Sequence, residues 1–96
     1  MEAEANLFGV KSKGLFQVRG NGKLILTEKA LIFRPYDFKK DIFINVKEIK
    51  TVQLRLSFLG KTVFRKILTI STATDEVGWL VKDPQKWKAA IEKLMA

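Results

Sequence analysis

The chain has 96 residues, 47% of them hydrophobic and 29% charged, the balance of a folded domain and not of a disordered tract. It holds no cysteine and no histidine, which excludes disulfides, thiolate nucleophiles and thiolate or imidazole metal sites, and removes the commonest general base near neutral pH. Eighteen Lys and Arg against ten Asp and Glu leave a net charge of +8, a field that attracts anions such as lipid headgroups, nucleic acid or acidic protein faces.

No internal repeat, linker or low-complexity tract divides residues 1–96, so a single domain with a modest core is expected. No apolar run approaches the roughly 20 residues that span a bilayer, so no transmembrane segment is expected. Met1 to Ala5 reads as a frayed end. It is acidic and lacks the basic and apolar regions of a signal peptide, which predicts a cytoplasmic, soluble product. From about Leu7 to Lys82 short apolar runs alternate with turn signals, and this rhythm predicts a barrel or two packed sheets. The predicted strands are 14–19, 22–27, 30–35, 41–46, 50–58, 63–71 and 76–82.

Residues 20–35, Gly-Asn-Gly-Lys-Leu-Ile-Leu-Thr-Glu-Lys-Ala-Leu-Ile-Phe-Arg-Pro, read as a hairpin. Two apolar runs flank Thr27-Glu28-Lys29, and the Thr27 hydroxyl can cap the turn through backbone two residues on. Leu24, Leu26, Leu31 and Phe33 are its predicted core. Ile42, Ile44 and Val46 alternate next. The clearest strand follows, with Val52, Leu54, Leu56 and Phe58 on one face and Gln53, Arg55 and Ser57 on the other. Gly60 is free to take positive φ in the turn after it. In 63–71 the phase blurs, because Val63 and Phe64 are adjacent, as are Ile67 and Leu68; Leu68 and Ile70 are the expected core. Asp75-Glu76, beside a Ser/Thr run, reads as a solvated turn.

The end of the chain changes period. Asp83 is expected to cap a helix through its side chain, with Pro84 in the first helical position. Trp87, Ala90, Ile91, Leu94 and Met95 then fall on one stripe, with Lys86, Lys88, Glu92 and Lys93 opposite. The predicted helix covers about 84–95, anchored by Trp87, with Ile91 and Leu94 in the core. A helix this short is marginal without packing, so a lid on the domain is preferred over a free partner-binding helix.

Gly22-x-Leu24-x-Leu26-Thr27 followed by Leu31-x-Phe33 resembles the opening of GRAM and bacterial pleckstrin-homology-like (PH-like) domains. Ile44, Val46, Ile49 and Val52 are similar to the family's next apolar segment, and Leu68-x-Ile70 with Trp79-Leu80-Val81 suit its later strands. The resemblance covers nearly the whole chain. It implies a mainly β fold, a PH-like barrel of about seven antiparallel strands capped by one C-terminal α-helix. It also implies a non-catalytic module that binds anionic phospholipid or a protein partner, without cofactor or metal. Lipid-binding members gather cations between the first two strands, and the nearest residues here are Lys11, Lys13, Arg19 and Lys23. These four do not reproduce the family's spaced basic pattern and also read as ordinary exposed strand and turn residues.

Two further classes remain. A small interaction protein could act by assembling into a homo-oligomer, with Val63-Phe64 and Phe16 as apolar contacts. Nucleic-acid binding rests on charge alone. Lys13 to Gly20 loosely imitates an RNA-recognition octamer, but Leu15, Gln17 and Gly20 stand where stacking aromatics are needed, and no helical period precedes residue 83. An enzyme is not expected, since no carboxylates pair in an apolar setting.

Overall fold

A computed structural model describes residues 1–13, 19–37, 40–58 and 61–96, except for the side chains of residues 13 and 61–64. Among these residues, period-2 patterning yields β1 (Glu2–Val10), β2 (Gly20–Leu26), β3 (Ala30–Pro35), β4 (Ile42–Asn45), β5 (Ile49–Phe58), β6 (Lys61–Thr72) and β7 (Glu76–Val81). One helix, α1 (Pro84–Met95), ends the chain. The strands form one sheet in the order β4-β3-β2-β1-β7-β6-β5, with every neighbouring pair antiparallel. The sheet curls into a half-barrel, and α1 packs against β5 and β6 to close it. This is the mainly β, helix-capped barrel that the sequence predicts.

The first strand is the main correction. Met1 to Ala5 is not frayed: β1 is the central strand, paired with β2 from Glu2↔Ile25 to Leu7↔Gly20 and with β7 from Ala5↔Val81 to Val10↔Val77. Ala3, Ala5 and Leu7 turn toward the core while Glu2 and Glu4 stay exposed. Ala and Glu are weak strand formers, but two hydrogen-bonded flanks override that preference. Even Met1 is tied down, its carbonyl accepting from the Leu26 amide at 2.7 Å. Residues 14–18 of the strand predicted at 14–19, and the turn at Gly60, lie outside the described residues, while Arg19 precedes β2 without strand structure.

The β2–β3 hairpin follows its sequence closely. Thr27 Oγ1 accepts from the amides of Lys29 and Ala30 at 3.3 and 3.1 Å. Gly22 stands where β3 leaves no room, since a Cβ there would lie 2.4 Å from the Arg34 carbonyl oxygen and 2.6 Å from the Phe33 ring.

The main core joins Leu24, Leu26, Leu31, Phe33, Val52, Leu68, Ile70 and Trp79 to Trp87 and Ile91 of the helix, with Leu54 half-buried against it. Two predicted core positions, Leu56 and Leu94, are corrected. Leu56 is 55% exposed, while Phe58 is buried as predicted but not on the face of Val52 and Leu54. The cause is an irregularity in the β5–β6 ladder: between Arg55↔Ile67 and Ser57↔Thr62 one strand advances two residues and the other five. Strict alternation along β5 therefore ends at Arg55. Phe58 then joins Phe8, Ile67 and Leu80 in a second, smaller apolar cluster on the outer side of the sheet. In α1, Leu94 is 36% exposed, and of the two apolar residues in its last turn only Met95 packs against the core.

Asp83 precedes α1 as predicted, with Pro84 at its start, but makes no side-chain cap. It adopts a left-handed conformation (φ 53°, ψ 57°), and its carbonyl accepts from the Lys86 amide at 3.0 Å. Asp is among the few residues that tolerate this geometry.

Candidate functional site at the open mouth of the barrel

One end of the half-barrel is open. The C-terminal end of β1, the start of β4 and the β6–β7 turn surround a cavity of about 530 Å³ there. Val10, Ile42, Ile44 and Val77 supply its apolar walls, while Asp41, Glu48, Asp75 and Lys40 supply its charged rim. The alternation that sends Ile42 and Ile44 inward sends Phe43 out, and its side chain is 66% exposed. Phe43 continues a row across the outer sheet through Ile32 and Ile25, its register neighbours on β3 and β2.

β4 is also an edge strand. No described residue pairs with its outer side, so the backbone donors and acceptors on that side are unpaired within the sheet. The β6–β7 turn is held firmly opposite. Asp75 accepts from the Ser12 amide at 2.9 Å and the Ser12 hydroxyl at 2.7 Å, and its backbone caps the turn through Thr72. Asp75-Glu76 is thus a braced turn and not a freely solvated one. Arg34 pairs with Asp41 at 3.2 Å on the other flank.

Three of the four predicted anion residues, Lys11, Arg19 and Lys23, have described side chains, and each has different neighbours. Lys11 is exposed and shares a shallow depression with Asp75 and Glu76. Arg19 lies over the Phe8 ring, 5.8 Å from its centroid. Lys23 is further along β2, where its Nζ meets Glu2 at 3.5 Å. It stands opposite Arg34 in the ladder, and each of these facing cations has its own carboxylate, Glu2 and Asp41. The side chain of Lys13 lies outside the described residues, as do Phe16 and the side chains of Val63 and Phe64.

Residues that sequence reasoning passed over are more prominent in the structure. Phe43 was legible, because it falls between two core residues of an alternating strand. The rim carboxylates were not, since 41, 48 and 75 come together only when β4 and the β6–β7 turn meet. Among the described residues no three Asp or Glu side chains form a group that could hold a metal ion, and no helix is long and apolar enough to cross a membrane. No family model matches the sequence, and no curated protein compared with it matches either.

Proposed function

We propose that this chain is a non-catalytic binding module of the PH/GRAM-like type, working in the cytoplasm, whose open mouth takes an extended segment of a protein partner. The observation that carries the reading is Phe43, two-thirds exposed on an edge strand beside an apolar-walled cavity. An added strand would satisfy the β4 edge through main-chain bonds and set alternate side chains into the cavity. Glu48 and Lys40 share the rim with Asp41, which Arg34 already holds, and Asp75, which Ser12 holds, so the rim carries both signs of charge and the preference of the mouth is set by its apolar walls.

The test begins with peptides selected by phage display on the folded domain and titrated by calorimetry. Phe43→Asp should weaken a selected peptide by at least about tenfold, since fully burying a Phe side chain contributes roughly 1.5–3 kcal/mol. Amide hydrogen exchange at Ile42–Asn45 should slow in the complex. Failure to enrich any peptide, or equal binding by parent and variant, would remove the reading. A concentration-dependent dimer in light scattering that Phe43→Asp dissolves would place a second copy of the chain in the mouth, which is the self-assembly alternative.

A further inference from the structure

The outer face of the sheet carries a second depression, of about 950 Å³, where β1, β2 and β7 lie side by side. It shares no lining residue with the mouth. All three strands are paired on both sides, so a peptide finds no free main-chain edge here. The ladder register fixes which side chains share this face. Asn6 stands opposite Asn21 on β2 and Leu80 on β7, and two residues back along β1, Glu4 stands opposite Lys23. Tyr36, just past β3, extends over the same face. Its amide donates to the Asn21 carbonyl at 3.1 Å and its hydroxyl to Glu4 Oε1 at 3.4 Å. Arg65 of β6 and Lys82, which follows β7, complete the polar lining.

The amides are fixed in place. Asn6 Nδ2 donates to Asn21 Oδ1 at 2.9 Å, which locks the pair across the ladder. That bond leaves the Asn6 carbonyl free to accept and the Asn21 NH₂ group free to donate. The aromatic is fixed as well. Tyr36 is 54% exposed yet held at its hydroxyl and its backbone, so it offers a flat apolar face that loses little freedom on binding. Charge narrows the ligand further. Glu4 borders the depression together with Arg65 and Lys82, so an anion meets one unfavourable group and a cation meets two. A ligand rich in hydroxyl groups, which both donate and accept, satisfies both signs.

We propose that this depression binds an uncharged oligosaccharide, with one pyranose ring stacked on Tyr36 and its hydroxyls bonded to Asn6, Asn21 and Arg65. The C–H face of the sugar meets the tyrosine, while hydroxyls at its edge reach the amides and the guanidinium. One apolar surface with a few placed polar groups is the general design of small-ligand sites. A nucleic-acid strand fits less well, because Glu4 lies among the cations and the described lining holds no second aromatic for base stacking. The inference does not depend on what occupies the mouth.

Saturation-transfer NMR with soluble cellulose, starch, mannan and chitin oligomers tests it. On irradiation of the aromatic protons, at least one oligomer should receive saturation, concentrated on one sugar ring. In a calorimetric titration Tyr36→Ala should weaken that oligomer by at least about tenfold, the loss for truncating an aromatic anchor. Asn21→Ala should weaken it by about fivefold, the weight of one net hydrogen bond. Both residues are exposed, so the melting temperatures of these variants should stay near that of the parent. Phe43→Asp should bind the oligomer like the parent, so the mouth and the depression fail or survive separately.

No transfer to any oligomer, or equal binding by parent and Tyr36→Ala, would overturn the proposal. So would a single-stranded DNA fragment whose binding Tyr36→Ala weakens more than that of every oligomer, since the depression would then belong to nucleic acid.

Discussion

At the scale of single residues, two glycines and one leucine carry most of the lesson. Gly22 belongs to the motif that suggested the fold, and the structure explains why no other residue fits: the β3 backbone and the Phe33 ring occupy the space of its Cβ. Gly22→Ala is therefore expected to cost about 1–3 kcal/mol or more, the range for overpacking a core, and to lower the melting temperature measured by circular dichroism. An unchanged melt would mean that β2 and β3 separate freely, contrary to their register. Gly78 on the other face is a milder case, where a Cβ would meet only the Ile67 and Phe58 side chains, at 3.0 and 3.2 Å. Leu56 shows the opposite situation. Its place in an alternating run predicts burial, yet the ladder irregularity beside it leaves it in solvent.

At the scale of elements, the helix was the most legible piece and the strands the least uniform. Pro84, the apolar stripe and the chain end bound α1 as predicted, because a change of period from two to 3.6 is visible without tertiary information. Trp87 is 2% exposed and closes the core beside Ile91. Trp87→Ala should destabilise the domain by about 3–5 kcal/mol, the range for truncating a large buried aromatic. With total stability on the order of 5–15 kcal/mol, chemical denaturation should show the loss clearly. A small change would make α1 a dispensable flap. By contrast, the blurred phase of 63–71 was a real signal. The β5–β6 ladder shifts register there, and Ile67 and Leu68 face opposite clusters, the outer and the main core.

At the scale of the whole molecule, β1 joins the two halves of the sheet. Without it, β2 and β7 each lose a hydrogen-bonded neighbour, and the β2–β3–β4 half keeps only side-chain packing, such as Phe33 against Trp79, to the rest of the sheet. Deleting residues 1–6 is expected to abolish cooperative unfolding and leave a chain that is protease-sensitive under native conditions. If the truncated chain melted like the parent, the central place of β1 would be wrong. The mouth opens at the C-terminal end of this strand, and Phe8, next to that end, packs into the outer apolar cluster. Lys11, Arg19 and Lys23 have different neighbours in the structure, because positions close in sequence diverge along a hairpin while distant strands converge.

By itself the sequence determined the strand-rich class, the β2–β3 hairpin with its Thr27 turn, the terminal helix and most of the core. All of these rest on local periodicity or on bonds between near neighbours. Only the tertiary structure decided that an Ala- and Glu-rich start becomes a central strand, since that depends on partners 19 residues away in β2 and 76 away in β7, as Glu4↔Lys23 and Ala5↔Val81 show. It also decided which charges meet. Asp41 and Asp75 share a rim, and Lys23 meets Glu2, because side chains on neighbouring strands are set by register and curl, and neither is written in the order of charges along the chain.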